Sequence, residues 1–112
     1  MININIKRGD SISFTLTFVD VNEDIINLNN YDNIYADISS SPTHPTQTIK
    51  LTLGNRLEIN NDNILVIKLT SKDTFKLDKN RYYSDVKVKK NDDEFTIASI
   101  TYNVNSTSTN LN

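Results

Sequence analysis

Ser11-Ile12-Ser13-Phe14-Thr15-Leu16-Thr17-Phe18 places four apolar side chains on even positions and four hydroxyl side chains on odd ones, an unbroken period of two. In a strand, successive side chains leave opposite faces of the backbone, so this stretch has one face for a core and one for water. It reads as a half-buried strand. The same rhythm precedes it, with Ile2, Ile4 and Ile6 set against Asn3, Asn5 and Lys7, and Gly9-Asp10 gives the turn signal between the two runs.

Downstream the alternation recurs. Further strands are predicted at Asn33 to Ser39 (Ile34, Ala36 and Ile38 inward), Thr48 to Leu53 (Ile49, Leu51 and Leu53 inward), Leu57 to Ile59 and Ile64 to Leu69. Tyr82 to Val88 puts Tyr82, Val86 and Val88 on one face and Tyr83, Asp85 and Lys87 on the other, and Phe95 to Val104 closes the series. Polar segments between them read as loops: Val21 to Asn30, Ser39 to Thr46, Asn60-Asn61-Asp62 and Asn91-Asp92-Asp93. The exception is Thr70 to Leu77, where Asp73 follows Thr70 at capping-box spacing and a single helical turn is expected. Seven or eight short strands, each with one apolar face, can bury those faces as two packed sheets or one closed barrel, and the sandwich is favoured. The predicted fold class is all-β, an antiparallel sandwich.

At 112 residues the chain makes one small domain, too small for a second lobe with a deep cleft. It has no cysteine, so no disulfide framework and no thiolate metal site is available, which suits a reducing cytosol. A net charge of −2 provides no basic field to gather phosphates, so no nucleic-acid partner is expected. No run approaches the ~20 apolar residues that span a bilayer, and the start lacks a signal peptide's apolar core, so neither a membrane partner nor ordinary secretion is expected. Asparagine (17) and isoleucine (14) are over-represented. Isoleucine falls mainly on inward strand positions and asparagine in turns and at the C-terminus, which argues for folded architecture and for an AT-rich genome. Residues 1–104 read as the domain, and 105–112 as a flexible or partner-ordered tail of low apolar content.

The residues that could carry chemistry each have a plainer reading. Arg8-Gly9-Asp10 spells an integrin-recognition tripeptide, but Gly9-Asp10 reads as a turn. Asp20-x-Asn22-x-Asp24 has the ligand spacing that opens a calcium loop, yet the sixth position is Ile25 where glycine is required, so it reads as a solvated hairpin tip. His44 is the sole histidine and cannot build a multi-histidine metal site. Asp92-Asp93-Glu94 lies in a turn, and acid–base chemistry needs two groups in different environments of a cleft. Asn105-Ser106-Thr107 fits a glycosylation sequon without a secretory signal. Gly9 and Gly54 are too far apart for a phosphate loop. Tyr31, Tyr35, Tyr82, Tyr83 and Tyr102 could stack on sugars or bases, or could pack across strands. No catalytic, cofactor-binding or metal residue is assigned, no cofactor is expected, and the chain is expected not to be an enzyme.

In their order, these residues resemble a family, the small N-terminal immunoglobulin-like β-sandwich of phage baseplate upper proteins and related phage tail and virion structural proteins. The positions concerned are Gly9-Asp10-Ser11, the alternating Ile12 to Phe18 strand, Asp20, Ile26-Asn27-Leu28-Asn29-Asn30-Tyr31, Leu69-Thr70, Asp73-Thr74, Leu77 and Tyr82-Tyr83-Ser84-Asp85-Val86. The chain departs from the pattern where Asn22-Glu23-Asp24 and Asn80 stand in place of glycine. What the resemblance implies is a sandwich of seven or eight strands acting as a non-enzymatic docking or adaptor domain in a tail, baseplate or fibre anchor. Its partners would be other phage structural proteins, in multiple copies, and its location the virion, assembled in the host cytoplasm. The alternative expectation, from the tyrosines, is a carbohydrate-binding module.

Overall fold

The computed structural model describes residues 2–41 and 47–105. Ten strand segments follow one another as β1 (Ile2–Lys7), β2 (Ile12–Leu16), β3 (Asn33–Tyr35), β4 (Ile38–Ser39), β5 (Gln47–Ile49), β6 (Thr52–Leu53), β7 (Arg56–Ile59), β8 (Leu65–Leu69), β9 (Arg81–Lys90) and β10 (Asp93–Asn105). The helical content is a 3-10 turn, Leu28–Asn30, and one five-residue helix, α1 (Ser71–Phe75), inside the predicted Thr70 to Leu77 interval. The fold is all-β, as the alternation predicts. Ten segments arise from eight predicted strands because two of these are interrupted, Asn33 to Ser39 at Ala36-Asp37 and Thr48 to Leu53 at Lys50-Leu51.

Hydrogen bonding runs in the order β1-β10-β9-β3-β6-β7-β8-β2, with β4 also against β9 and β5 against β4. All pairs are antiparallel except β1 with β10 and β6 with β7. Parallel neighbours ordinarily need a long crossover. Only Gly54 and Asn55 separate β6 from β7, so that junction is a sharp corner, with Gly54 at φ 84° and Arg56 at φ 75°. There the hydrogen-bonded order folds over itself. Phe14 of β2, the last strand in the order, meets Tyr102 of β10, the second strand, edge to face at 6.2 Å between ring centroids and 64° between planes. The result is an immunoglobulin-like sandwich: β1, β10, β9, β3–β4 and β5–β6 form one layer, and β7, β8 and β2 the other. The Gly9-Asp10 turn carries the chain from the first layer to the second, because β1 pairs with β10 and β2 with β8.

The core follows the period-two reading closely. Along β9, Tyr82, Ser84, Val86 and Val88 are buried while Tyr83 and Lys87 are half-buried and Asp85 is exposed. Ile34, Ile38, Leu51, Leu57, Leu65, Ile67 and Tyr102 are sealed from solvent, each large apolar group contributing about 1.5–3 kcal/mol against the cost of ordering the chain. Leu53, expected inward, is 36% exposed. The parity is right, but the strand ends there and the chain leaves the layer at the Gly54 corner. Leu28, in a segment expected to be loop, is buried. Asn63, at φ 62°, fixes it by accepting from the Leu28 amide (2.7 Å) and donating to the Ile26 carbonyl (2.7 Å).

Candidate functional site

A polar cluster joins the first turn, α1 and the β6–β7 corner. Thr70 caps α1: its hydroxyl accepts from the Asp73 amide (3.1 Å), and the Asp73 carboxylate accepts from the Thr70 amide (2.9 Å), completing the capping box expected from the spacing. Thr74, fully buried, faces the other way. Its hydroxyl accepts from the Gly9 amide (2.9 Å) and donates to the Asp10 carbonyl (2.9 Å), while the Ser11 and Ser71 hydroxyls meet at 3.1 Å. Arg8 donates from Nε to the Phe75 carbonyl (2.9 Å), and its guanidinium lies over the Phe75 ring at 4.4 Å. Arg8-Gly9-Asp10 is thus a turn, as expected, and it is clasped to α1.

Arg56 completes the cluster from β7. Its Nε and one terminal nitrogen bond the two Asp73 oxygens at 3.0 and 2.9 Å, and the other terminal nitrogen donates to the Lys50 carbonyl at 3.1 Å. The Arg56 hydrogen bond, helped by the Thr70 amide and opposed by burial, lowers the Asp73 carboxyl to about 2. The same bond raises the Arg56 guanidinium. An open groove of about 330 Å³ lies beside this pair, lined by Gly54, Arg56, Leu57, Glu58, Lys68 and Thr70. Its charged groups are already paired, Arg56 with Asp73 and Lys68 with Glu58.

The other singled-out residues are not brought to this cluster. Asp20 turns its carboxylate inward on its own hairpin, accepting from the Asn22 (2.8 Å) and Asp24 (3.1 Å) amides, with Glu23 at φ 65°. That is a hairpin tip, closed by the Val19–Ile25 bridge. Among the described residues no group of three or more histidine, cysteine, aspartate or glutamate side chains could hold a metal. Asp92 and Asp93 are in and beside the β9–β10 turn, where Asn91 takes φ 56°. Asn105 closes β10 opposite Lys7, one residue past the expected domain boundary. His44 and residues 106–112 lie outside the described residues.

The tyrosines divide by parity. Tyr82 and Tyr102 are buried, and Tyr31 is half-buried against the core. Tyr82 donates from its hydroxyl to the Asp78 carboxylate (3.0 Å) and accepts from the Lys79 amide (3.3 Å), pinning the turn that follows α1 to the start of β9, the arrangement known as a tyrosine corner. Burial raises both buried phenols. Tyr35 and Tyr83 are half-buried on the outer face of the first layer, where Tyr35 stands opposite Lys87 and Tyr83 opposite Ser39 and Thr101. Arg56 is the site residue that sequence reasoning missed. Its partner is seventeen positions away, and nothing in the local pattern marks it. No helix of the described residues is long and apolar enough to cross a membrane. No protein-family model matches the chain, and no curated protein matches it as a relative.

Proposed function

We propose that the chain is a non-enzymatic structural protein of a bacteriophage virion, a small docking or adaptor domain in a tail, baseplate or fibre-anchor assembly. One observation supports this reading more than any other. The residues that carry the family resemblance, scattered between positions 9 and 86, are gathered into shared structural tasks: Gly9, Asp10 and Ser11 bond Thr74 and Ser71, Thr70 and Asp73 form the cap, Leu77 is buried, and Tyr82 forms the corner. A pattern whose members meet in space is a pattern of architecture. Such a domain works by surface complementarity, and its partners are other phage structural proteins. Mass spectrometry of particles produced by the genome that encodes the chain tests this directly: the chain is expected in the purified virion, and its absence overturns the proposal. Flanking capsid, portal or tail genes are the expected neighbourhood.

A second reading draws on Tyr35 and Tyr83, which share one outer sheet face and are half-buried there. Aromatic rings so placed can stack on sugar rings, and a carbohydrate ligand would use them. Glycan-array binding lost on Tyr35→Ala or Tyr83→Ala supports this reading; silence on a broad array rejects it.

A further inference from the structure

The strand edges without a partner strand among the described residues include the outer side of β1, the Asp93 to Ser99 part of β10 beyond the reach of β1, the side of β5 away from β4, which is only three residues long, and the outer side of β2. Exposed edges invite strand addition, and proteins blunt them with charge, proline or bulges. β1 ends on Lys7. The open part of β10 carries Asp93 and Glu94 and is bulged between Thr96 and Ala98. β2 has no such protection. From Ser11 to Val19 there is no charged residue, no glycine and no proline, and the pairing with β8 is regular from Ile12 to Leu16. Ile12, Phe14 and Leu16 point to the core but remain only partly buried, because no further strand flanks them.

We infer that this edge is the seat of a second copy of the chain, added antiparallel through β2 across a two-fold axis. The strand is self-complementary. To keep apolar side chains on the core face and hydroxyls on the other, even positions must oppose even positions. With the axis at Phe14, Ile12 opposes Leu16 of the second copy, Phe14 opposes itself, and Ser13 opposes Thr15. An axis at Phe14 pairs all five residues of β2 with the second copy, whereas an axis at Ser13 or at Thr15 pairs only three, Ile12 to Phe14 or Phe14 to Leu16, so the Phe14 register is selected. Charge at the two ends agrees. Arg8, in the turn before β2, and Asp20, in the hairpin after it, each lie six residues from Phe14. The N-terminal end of β2 adjoins Lys7, Arg8 and, on α1 beside the Ser71 that meets Ser11, Lys72, with Asp10 beside them and Asp73 already paired with Arg56. Its C-terminal end leads into Asp20, Glu23 and Asp24. Antiparallel addition lays the basic end of each copy beside the acidic end of the other, and the two three-stranded layers become one of six strands.

Sedimentation velocity of the full chain over a range of concentrations tests the inference, together with amide hydrogen exchange. The expected result is a monomer–dimer equilibrium in which those Ile12 to Leu16 amides that face away from β8 gain protection as the concentration rises. Ser13→Lys with Thr15→Lys, both exposed positions, sets lysines opposite one another twice across the axis and is expected to weaken the dimer about ten-fold or more. Ser13→Lys with Thr15→Glu sets opposite charges in the same places and is expected to restore it. A chain that stays monomeric up to about 1 mM overturns the inference. So does a dimer indifferent to the lysine pair, or one whose concentration-dependent protection falls on β1 or β10. The exchange measurement uses the unaltered chain and decides the matter even if a variant fails to fold.

Discussion

Arg56 and Asp73 hold each other by two parallel hydrogen bonds, 3.0 and 2.9 Å, across seventeen residues of sequence. The pair ties the corner where one layer becomes the other to the helix that leads back. Asp73 has the more buried side chain, 6% exposed against 26% for Arg56, so its charge depends on this partner. An unfolded chain protonates this carboxyl near pH 3.8, whereas the folded chain delays protonation to about pH 2. The folded carboxyl therefore contributes its stability in full above pH 4 and loses it as pH falls through that window, a contribution of about 2 kcal/mol. Asp73→Asn is expected to lower stability by that order at neutral pH and to flatten the acid limb of urea unfolding between pH 4 and 2.

Replacing Arg56 tests the fork itself. Lysine keeps the charge but cannot make two parallel bonds to one carboxylate. Arg56→Lys is expected to cost about 1–2 kcal/mol. Arg56→Gly relieves the positive φ of 75° but strands a buried carboxylate, and it is expected to cost more than lysine despite the easier backbone. Denaturant midpoints of the two variants give the order directly.

Thr74 holds the first turn to α1 with a single hydroxyl that serves as both donor and acceptor. Thr74→Val keeps the shape and leaves the Gly9 amide and the Asp10 carbonyl without this partner, an expected loss of about 1–3 kcal/mol. Thr74→Ser keeps the hydroxyl and is expected to recover most of it. Thermal melts of the three proteins separate the lost bonds from the lost methyl, and equal losses for valine and serine would refute the clasp.

These contacts differ in how far the sequence reveals them. The cap from Thr70 to Asp73 is visible because three-residue spacing is local and its chemistry specific. Burial along β9 is visible because parity survives the whole strand, and parity likewise sorts Tyr82 from Tyr83. The Arg56 bond is hidden, since an arginine after a glycine turn looks like any solvated loop residue. The parallel pairing of β1 with β10 joins the two ends of the chain, and alternation carries no information about which strand lies beside which. Leu28 is hidden for another reason: one apolar residue among asparagines has no period, and its burial is imposed by Asn63 from another loop. Of the two places where the chain departs from glycine, Asn80 takes no positive φ, and in the first hairpin that conformation falls to Glu23; Asn63 and Asn91, in other turns, do take it.

The two buried phenols predict opposite outcomes for the same substitution. Tyr82 uses its hydroxyl twice, donating to Asp78 and accepting from Lys79, so Tyr82→Phe removes two bonds and frees the turn before β9. A loss of about 1–2 kcal/mol is expected. The Tyr102 hydroxyl is buried without a hydrogen-bond partner; Ser84 stands near it but donates to the carbonyls of Ala36 and Asp37. A buried hydroxyl without a partner costs about 1–3 kcal/mol in lost hydration. Tyr102→Phe removes that cost, keeps the ring against Phe14, and is expected to leave stability unchanged or raise it. Urea unfolding of both variants in one buffer is the measurement, and a loss at Tyr102 equal to that at Tyr82 would show that its hydroxyl is bonded after all.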